Sequence, residues 1–110
     1  MNIVALLAAA SSARSARPDR AATAVLSESA DLRVVIFRLD PGQQVAEHTS
    51  PSTVALTVIA GDGWVSSAEG ERAVATADLV TYGPNEPHGM RAGERRLVLL
   101  AMIAPRPGDR

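Results

Sequence analysis

Short apolar runs separated by turn residues fill the chain from Thr23 to Ile103. The run 32–39 (Leu-Arg-Val-Val-Ile-Phe-Arg-Leu) is typical. In an extended chain, Val35, Phe37 and Leu39 share one side and Arg38 takes the other. Comparable runs occupy Thr23–Leu26, Gln43–His48, Val54–Ala60, Trp64–Ser67, Arg72–Ala77, Leu79–Tyr82, His88–Ala92 and Arg96–Ile103. Turn formers lie between them: Asp40-Pro41-Gly42, Gly61-Asp62-Gly63, Gly83-Pro84-Asn85-Glu86-Pro87 and Gly93-Glu94. Ala68-Glu69-Gly70-Glu71 reads as a hairpin loop. Many short strands with no helical pattern between them predict an all-β domain, either a closed barrel or a two-sheet jelly roll.

The first 21 residues follow a different period. Ile3, Leu6, Leu7 and Ala10 fall at i, i+3, i+4 and i+7, one face of a helix. They predict an N-terminal arm (1–21), helical or flexible, that packs on the barrel domain (22–104) or on a second subunit. Residues 105–110 form a Pro- and Gly-containing tail. The run from Ile3 to Ala10 also has the look of a signal-peptide core, but no Lys or Arg precedes it, and Arg14 and Arg17 follow it. An arm and a cytoplasmic location are therefore expected, with secretion by an atypical signal as the alternative. The run falls well short of the roughly 20 apolar residues that span a bilayer, so no membrane partner is expected. Thr53–Ala60 and Leu97–Ile103 are apolar on both faces. One face can fill the barrel, and the other predicts a homodimer.

Composition narrows the chemistry. The chain has 110 residues, room for one domain, and its 46% apolar and 21% charged residues are a globular balance. With one Phe, one Trp and one Tyr, the core must be aliphatic. A net charge of −1 leaves no basic footprint for nucleic acid. There is no cysteine, which excludes disulfides, thiolate metal sites and cysteine nucleophiles. Only two histidines are present, His48 and His88.

The segment Gly42–Gly61 resembles the first motif of the cupin family, G-x5-H-x-H-x3,4-E-x6-G. Gly42 and His48 match it, Ser50 stands in place of the second histidine, Val54 in place of the glutamate, and Gly61 closes it. Ala77–Ala92 resembles the second motif. Ala77-Asp78-Leu79-Val80 is similar to its Gly-Asp turn and strand, and Gly83-Pro84-Asn85-Glu86-Pro87-His88-Gly89 to its proline-rich turn and last histidine. Ala92 occupies the asparagine position. The likeness runs from Thr23 to Ala104 and implies a double-stranded β-helix of the RmlC-like type. It also implies that His48 and His88 face one pocket with Ser50, Val54 and Leu56. In the family, three histidines and the glutamate hold a divalent metal such as iron, zinc, manganese or nickel. Two of those four ligands are absent here, so the resemblance predicts no tightly bound metal, with a weak or atypical site at His48 and His88 as the alternative.

Other polar side chains are weighed against plainer roles. Gln44 shares the parity of His48 and would point its amide oxygen inward, whereas Glu47 would face away if the strand is unbulged. Glu86, in the turn before His88, has no direction assigned. Tyr82 is either a hydroxyl donor to the pocket or a half-buried strand residue. Trp64 reads as packing at a barrel end, and Met90 and Met102 read as core. Arg91, Arg95 and Arg96 are an anion site at a barrel mouth or a solvated surface. The polar stretch 49–53 is a gate or simply a loop. Two functions follow. The favoured one is binding of a small organic molecule. The alternative is an enzyme: a metal-dependent dioxygenase or isomerase, or a metal-free epimerase-like catalyst with His48 or His88 as base and Tyr82 as acid.

Overall fold

The computed structural model describes residues 1–107. One short helix, α1 (Leu6–Ser12), precedes nine strands: β1 (Ala22–Glu28), β2 (Arg33–Leu39), β3 (Gln44–His48), β4 (Thr53–Ala60), β5 (Asp62–Ser67), β6 (Gly70–Ala75), β7 (Leu79–Tyr82), β8 (His88–Ala92) and β9 (Leu97–Ala104). All strand pairs are antiparallel. One sheet has the order β1-β2-β9-β4-β7, and the other β3-β8-β5-β6. The alternation read along 32–39 decides which face meets which. Val35 and Leu39 are buried between the sheets with Val54, Leu56, Val58, Leu97 and Leu99, opposite Val65 and Met90. Burial of this aliphatic layer is what holds the two sheets together.

Two turns are tighter than the sequence suggests. The β5–β6 hairpin closes over Ala68 and Glu69 alone, because Ser67 pairs with Gly70. Gly70 takes φ +111, a conformation that L side chains rarely adopt, which shortens the expected four-residue loop. Gly63 is not a breaker but lies within β5. A Cβ there would sit 2.5 Å from the Arg91 carbonyl oxygen, so glycine is what lets β5 approach β8.

The outer face of the larger sheet receives part of its cover from the chain itself. Ala10 of α1 is buried with Ile36 and Val98, and Leu6, Ala9, Ile59 and Leu100 pack around them. Arg38, on that same outer face, donates from Nη1 to the carbonyls of Ala10 (2.9 Å) and Ser11 (3.0 Å). Ala10 O also accepts from the Ala13 amide at 3.2 Å, and a cation at the C-terminal carbonyls of a helix opposes the dipole. The helix leaves part of the face open. Met102 pairs with Val34 and Ala55 on the outer side and remains 45% exposed, so it is not core as the sequence suggested.

Candidate functional site

A cavity of about 290 Å³ opens between the sheets at the end where β3, β4 and β8 meet. Its wall includes His48 from β3, Val54 and Leu56 from β4, and His88 and Met90 from β8. Thr49, Ser50 and Pro51 form its rim, while Phe37, Ala101 and Ile103 close the side toward β2 and β9. Pro107, past the last strand, completes it. All four positions that carry ligands in the resembled motifs (48, 50, 54 and 88) thus converge on one space.

The two histidines meet because β3 pairs with β8. His48 lies directly opposite His88 in register, and the ring centroids are 4.2 Å apart at an interplanar angle of 58°. His88 is 5% exposed, and His48 lies open at the mouth. Each ring is fixed by the carbonyl two residues before it: His48 Nδ1 is 3.0 Å from Ala46 O, and His88 Nδ1 is 2.9 Å from Glu86 O. A carbonyl oxygen can only accept, so Nδ1 carries the proton in both rings. In the neutral ring, Nε2 then keeps its lone pair as an acceptor.

Tyr82 stands beside His88 rather than in the cavity wall, with ring centroids 5.0 Å apart. Its hydroxyl donates to Ser66 O at 2.8 Å, so this proton is committed to the opposite sheet. Burial raises the phenol above its ordinary pKa, and the carboxylates of Glu86 and Glu47 add to the effect. Glu86 itself accepts from the Gly83 amide at 3.0 Å and lies outside the His48–His88 cavity.

Gln44 is not in this cavity, and the reason is a β-bulge. Three steps along β3, from Val45 to His48, match two along β8, from Met90 to His88. Parity counted from His48 therefore fails before the bulge. Val45 packs inward, while Gln44 pairs with Arg91 and lines a different cavity. The 49–53 loop is tied down. Ser52, 1% exposed, donates to Pro105 O at 2.5 Å, and Ser50 O accepts from the Asn85 amide at 2.6 Å. That tie holds Pro107 near the rim, a wall residue that nothing in the alternation could reveal. Arg91 binds Glu71 through two nitrogens (2.7 and 2.9 Å) and lies 5.0 Å over the Trp64 ring; Arg96 binds Asp40 at 2.6 Å. Trp64 accordingly sits on an outer face at 36% exposure, not at a barrel end.

Among the described residues, no group of three or more His, Cys, Asp or Glu is placed to hold a metal ion. Two imidazoles, a serine hydroxyl that accepts from the Ser52 amide, and the Val54 methyls do not fit a three-ligand site.

No family model matches the chain, and no curated protein matches it. Solved structures do. A conserved protein with a double-stranded β-helix domain from Klebsiella pneumoniae superposes with a TM-score of 0.86 at 23% identity, covering 98% of this chain and 94% of that one. A Thermus thermophilus protein gives 0.85 at 25% identity, covering 97% and 100%. An RmlC-like cupin from Shewanella frigidimarina gives 0.78 at 16% identity, covering 90% and 89%. The chain has the cupin fold. Other cupin-fold neighbours are named for enzymes: a predicted oxalate decarboxylase from Thermotoga maritima and the DMSP lyase DddQ from Ruegeria pomeroyi, at 18% and 21% identity. This chain spans 53% of the lyase chain, and at these identities the likeness carries the fold and no reaction.

The raised Tyr82 pKa has a readable consequence. The folded state holds the phenol proton above the ordinary value of about 10, where the unfolded chain has lost it. The native state then binds more protons, so stability falls as pH rises beyond about 10. Urea unfolding from neutral pH to pH 11 should show that loss, and Tyr82→Phe should flatten it. An unchanged alkaline slope in the variant contradicts the assignment.

Proposed function

We propose that this cupin-fold chain binds a small, largely apolar organic molecule carrying a hydroxyl or amine donor. One observation carries the reading: two imidazoles held by backbone carbonyls keep Nε2 acceptors beside a cavity walled mainly by apolar side chains, Phe37 and two prolines, with Thr49 and Ser50 the other polar residues at its rim. An apolar cavity with a few convergent polar groups suits a small ligand whose donors match those acceptors. An unmatched ligand leaves a desolvated acceptor unpaired, at a cost of about 1–3 kcal/mol. The metal-free acid–base alternative has less support, since the Tyr82 proton is engaged with Ser66 and carbonyls, not carboxylates, orient both imidazoles.

Phenol and toluene have the same shape and differ in the donor. The ratio of their affinities, measured by calorimetry on the parent and on His88→Leu, should shift toward toluene by about tenfold or more in the variant. A ratio that does not move contradicts the proposal.

The metal question has a separate test. Ser50→His with Val54→Glu restores the family's ligand set at positions lining the same cavity. The double variant should bind zinc or nickel tightly where the parent binds weakly, and His88→Ala should abolish the gain. A buried carboxylate without metal costs several kcal/mol, so affinity is read on protein shown by circular dichroism to be folded. A folded double variant with no gain means that the imidazoles do not act together.

We also propose that two copies of the chain meet over the sheet face α1 leaves open, where Met102 and Leu79 are 45% and 65% exposed and Leu7 is 58% exposed. Thr57, half-buried on that face, is the informative position, since Ile59 packs in the helix cluster and its loss would also unseat α1. Light scattering should find a dimer for the parent and a monomer for Thr57→Arg. A monomeric parent at micromolar concentration contradicts this.

A further inference from the structure

A second cavity, of about 340 Å³, opens on the side of the molecule where β1 and β3, edge strands of their sheets, lie across from each other. The segment between α1 and β1 bridges that gap. Thr23 donates its amide to Arg14 O, Ala21 donates to Gln44 O, and Gln44 donates to Asp19 O, so the segment is bound to both sheets. Ser15 Oγ, 2.5 Å from Arg17 O and 2.6 Å from Arg20 O, ties the intervening turn. The backbone carrying Arg14 and Arg20 is thus fixed, and both residues line the cavity with Phe37, Val45, Thr23 and Gln44.

Among the described residues, no carboxylate is paired with the charge at this place. Six of the ten described arginines (17, 33, 38, 91, 96 and 106) have a carboxylate within ion-pair distance. Among the described residues, Arg14 and Arg20 have no ion-pair or side-chain hydrogen-bond partner, and no acidic residue lines the cavity they share. Two guanidiniums on one rigid rim favour an anion with paired oxygens, because each presents a planar fork of donors. Behind the rim, Phe37 and Val45 offer apolar surface, and Thr23 and Gln44 add polar groups at the edge.

We infer that this cavity is a binding site for a small organic anion, a carboxylate or a phosphate monoester. The anionic group seats between Arg14 and Arg20, and the apolar body lies against Phe37 and Val45. The site is distinct from the histidine cavity, although Phe37 forms part of both walls.

Benzoate, phenyl phosphate, inorganic phosphate and neutral benzyl alcohol are titrated into the full chain, followed by backbone NMR shifts. Benzoate or phenyl phosphate should bind saturably, with shifts centred on Arg14, Arg20, Thr23 and Val45. Whichever of the two binds tighter identifies the anionic group. Affinity should fall at least tenfold in Arg14→Gln/Arg20→Gln and should weaken steadily with added sodium chloride. It should persist in His48→Leu/His88→Leu, which separates this site from the histidine cavity. Both arginine side chains are exposed and pair with none of the described residues, so their replacement should leave the fold intact, and the salt series on the parent reads the same claim without any variant. Three results overturn the inference: no saturable binding of either organic anion, binding indifferent to the arginine substitutions or to salt, or inorganic phosphate or benzyl alcohol binding as tightly as the organic anions.

Discussion

The pairing of β3 with β8 governs what the cavity receives. The five residues of β3 lie against four of β8, His88 to Arg91, and the extra residue between Val45 and His48 resets the alternation midway. Val45 can therefore pack inward while His48 also faces the cavity. Without the extra residue, one of the two would be turned to solvent, since a single step in register reverses every side chain beyond it. The opposition of His48 and His88, their 4.2 Å separation and their carbonyl-fixed tautomers all follow from this local irregularity.

Period-2 alternation made the strands readable. Val35 and Leu39 on one face and Arg38 on the other lie where the run 32–39 put them, and nine strands follow the nine runs with small changes at their ends. The motif positions 48, 50, 54 and 88 were readable from spacing and resemblance together. What failed was anything that depended on an uninterrupted count. Gln44 was placed by parity through a bulge that no residue type announces. Met102 looked like core because an apolar strand does not say which of its faces is covered. Phe37 and Pro107 reach the cavity through strand pairing and through a loop tied at Ser52, and both are long-range contacts invisible to a local pattern.

The N-terminal segment does two structural jobs that the sequence presented as one arm. Its helix is held over Ile36 and Val98 by apolar packing and by Arg38 at its last carbonyls, and the stretch after it stitches β1 to β3. A seven-residue helix has little stability of its own in water. Its persistence depends on the sheet beneath it, so covering the sheet and forming the helix are one event.

The scarcity of rings gives this chain an unusual optical layout. Trp64 lies on an outer face under Arg91, the lone tyrosine, Tyr82, stands against His88, and Phe37 separates the two cavities. Each aromatic chromophore occurs once. Indole emission therefore follows the integrity of the β5–β8 surface, outside the wall of the histidine cavity, while tyrosine absorbance follows the imidazole neighbourhood. Unfolding and occupancy can be watched in the same cuvette, on separate bands, without adding a label.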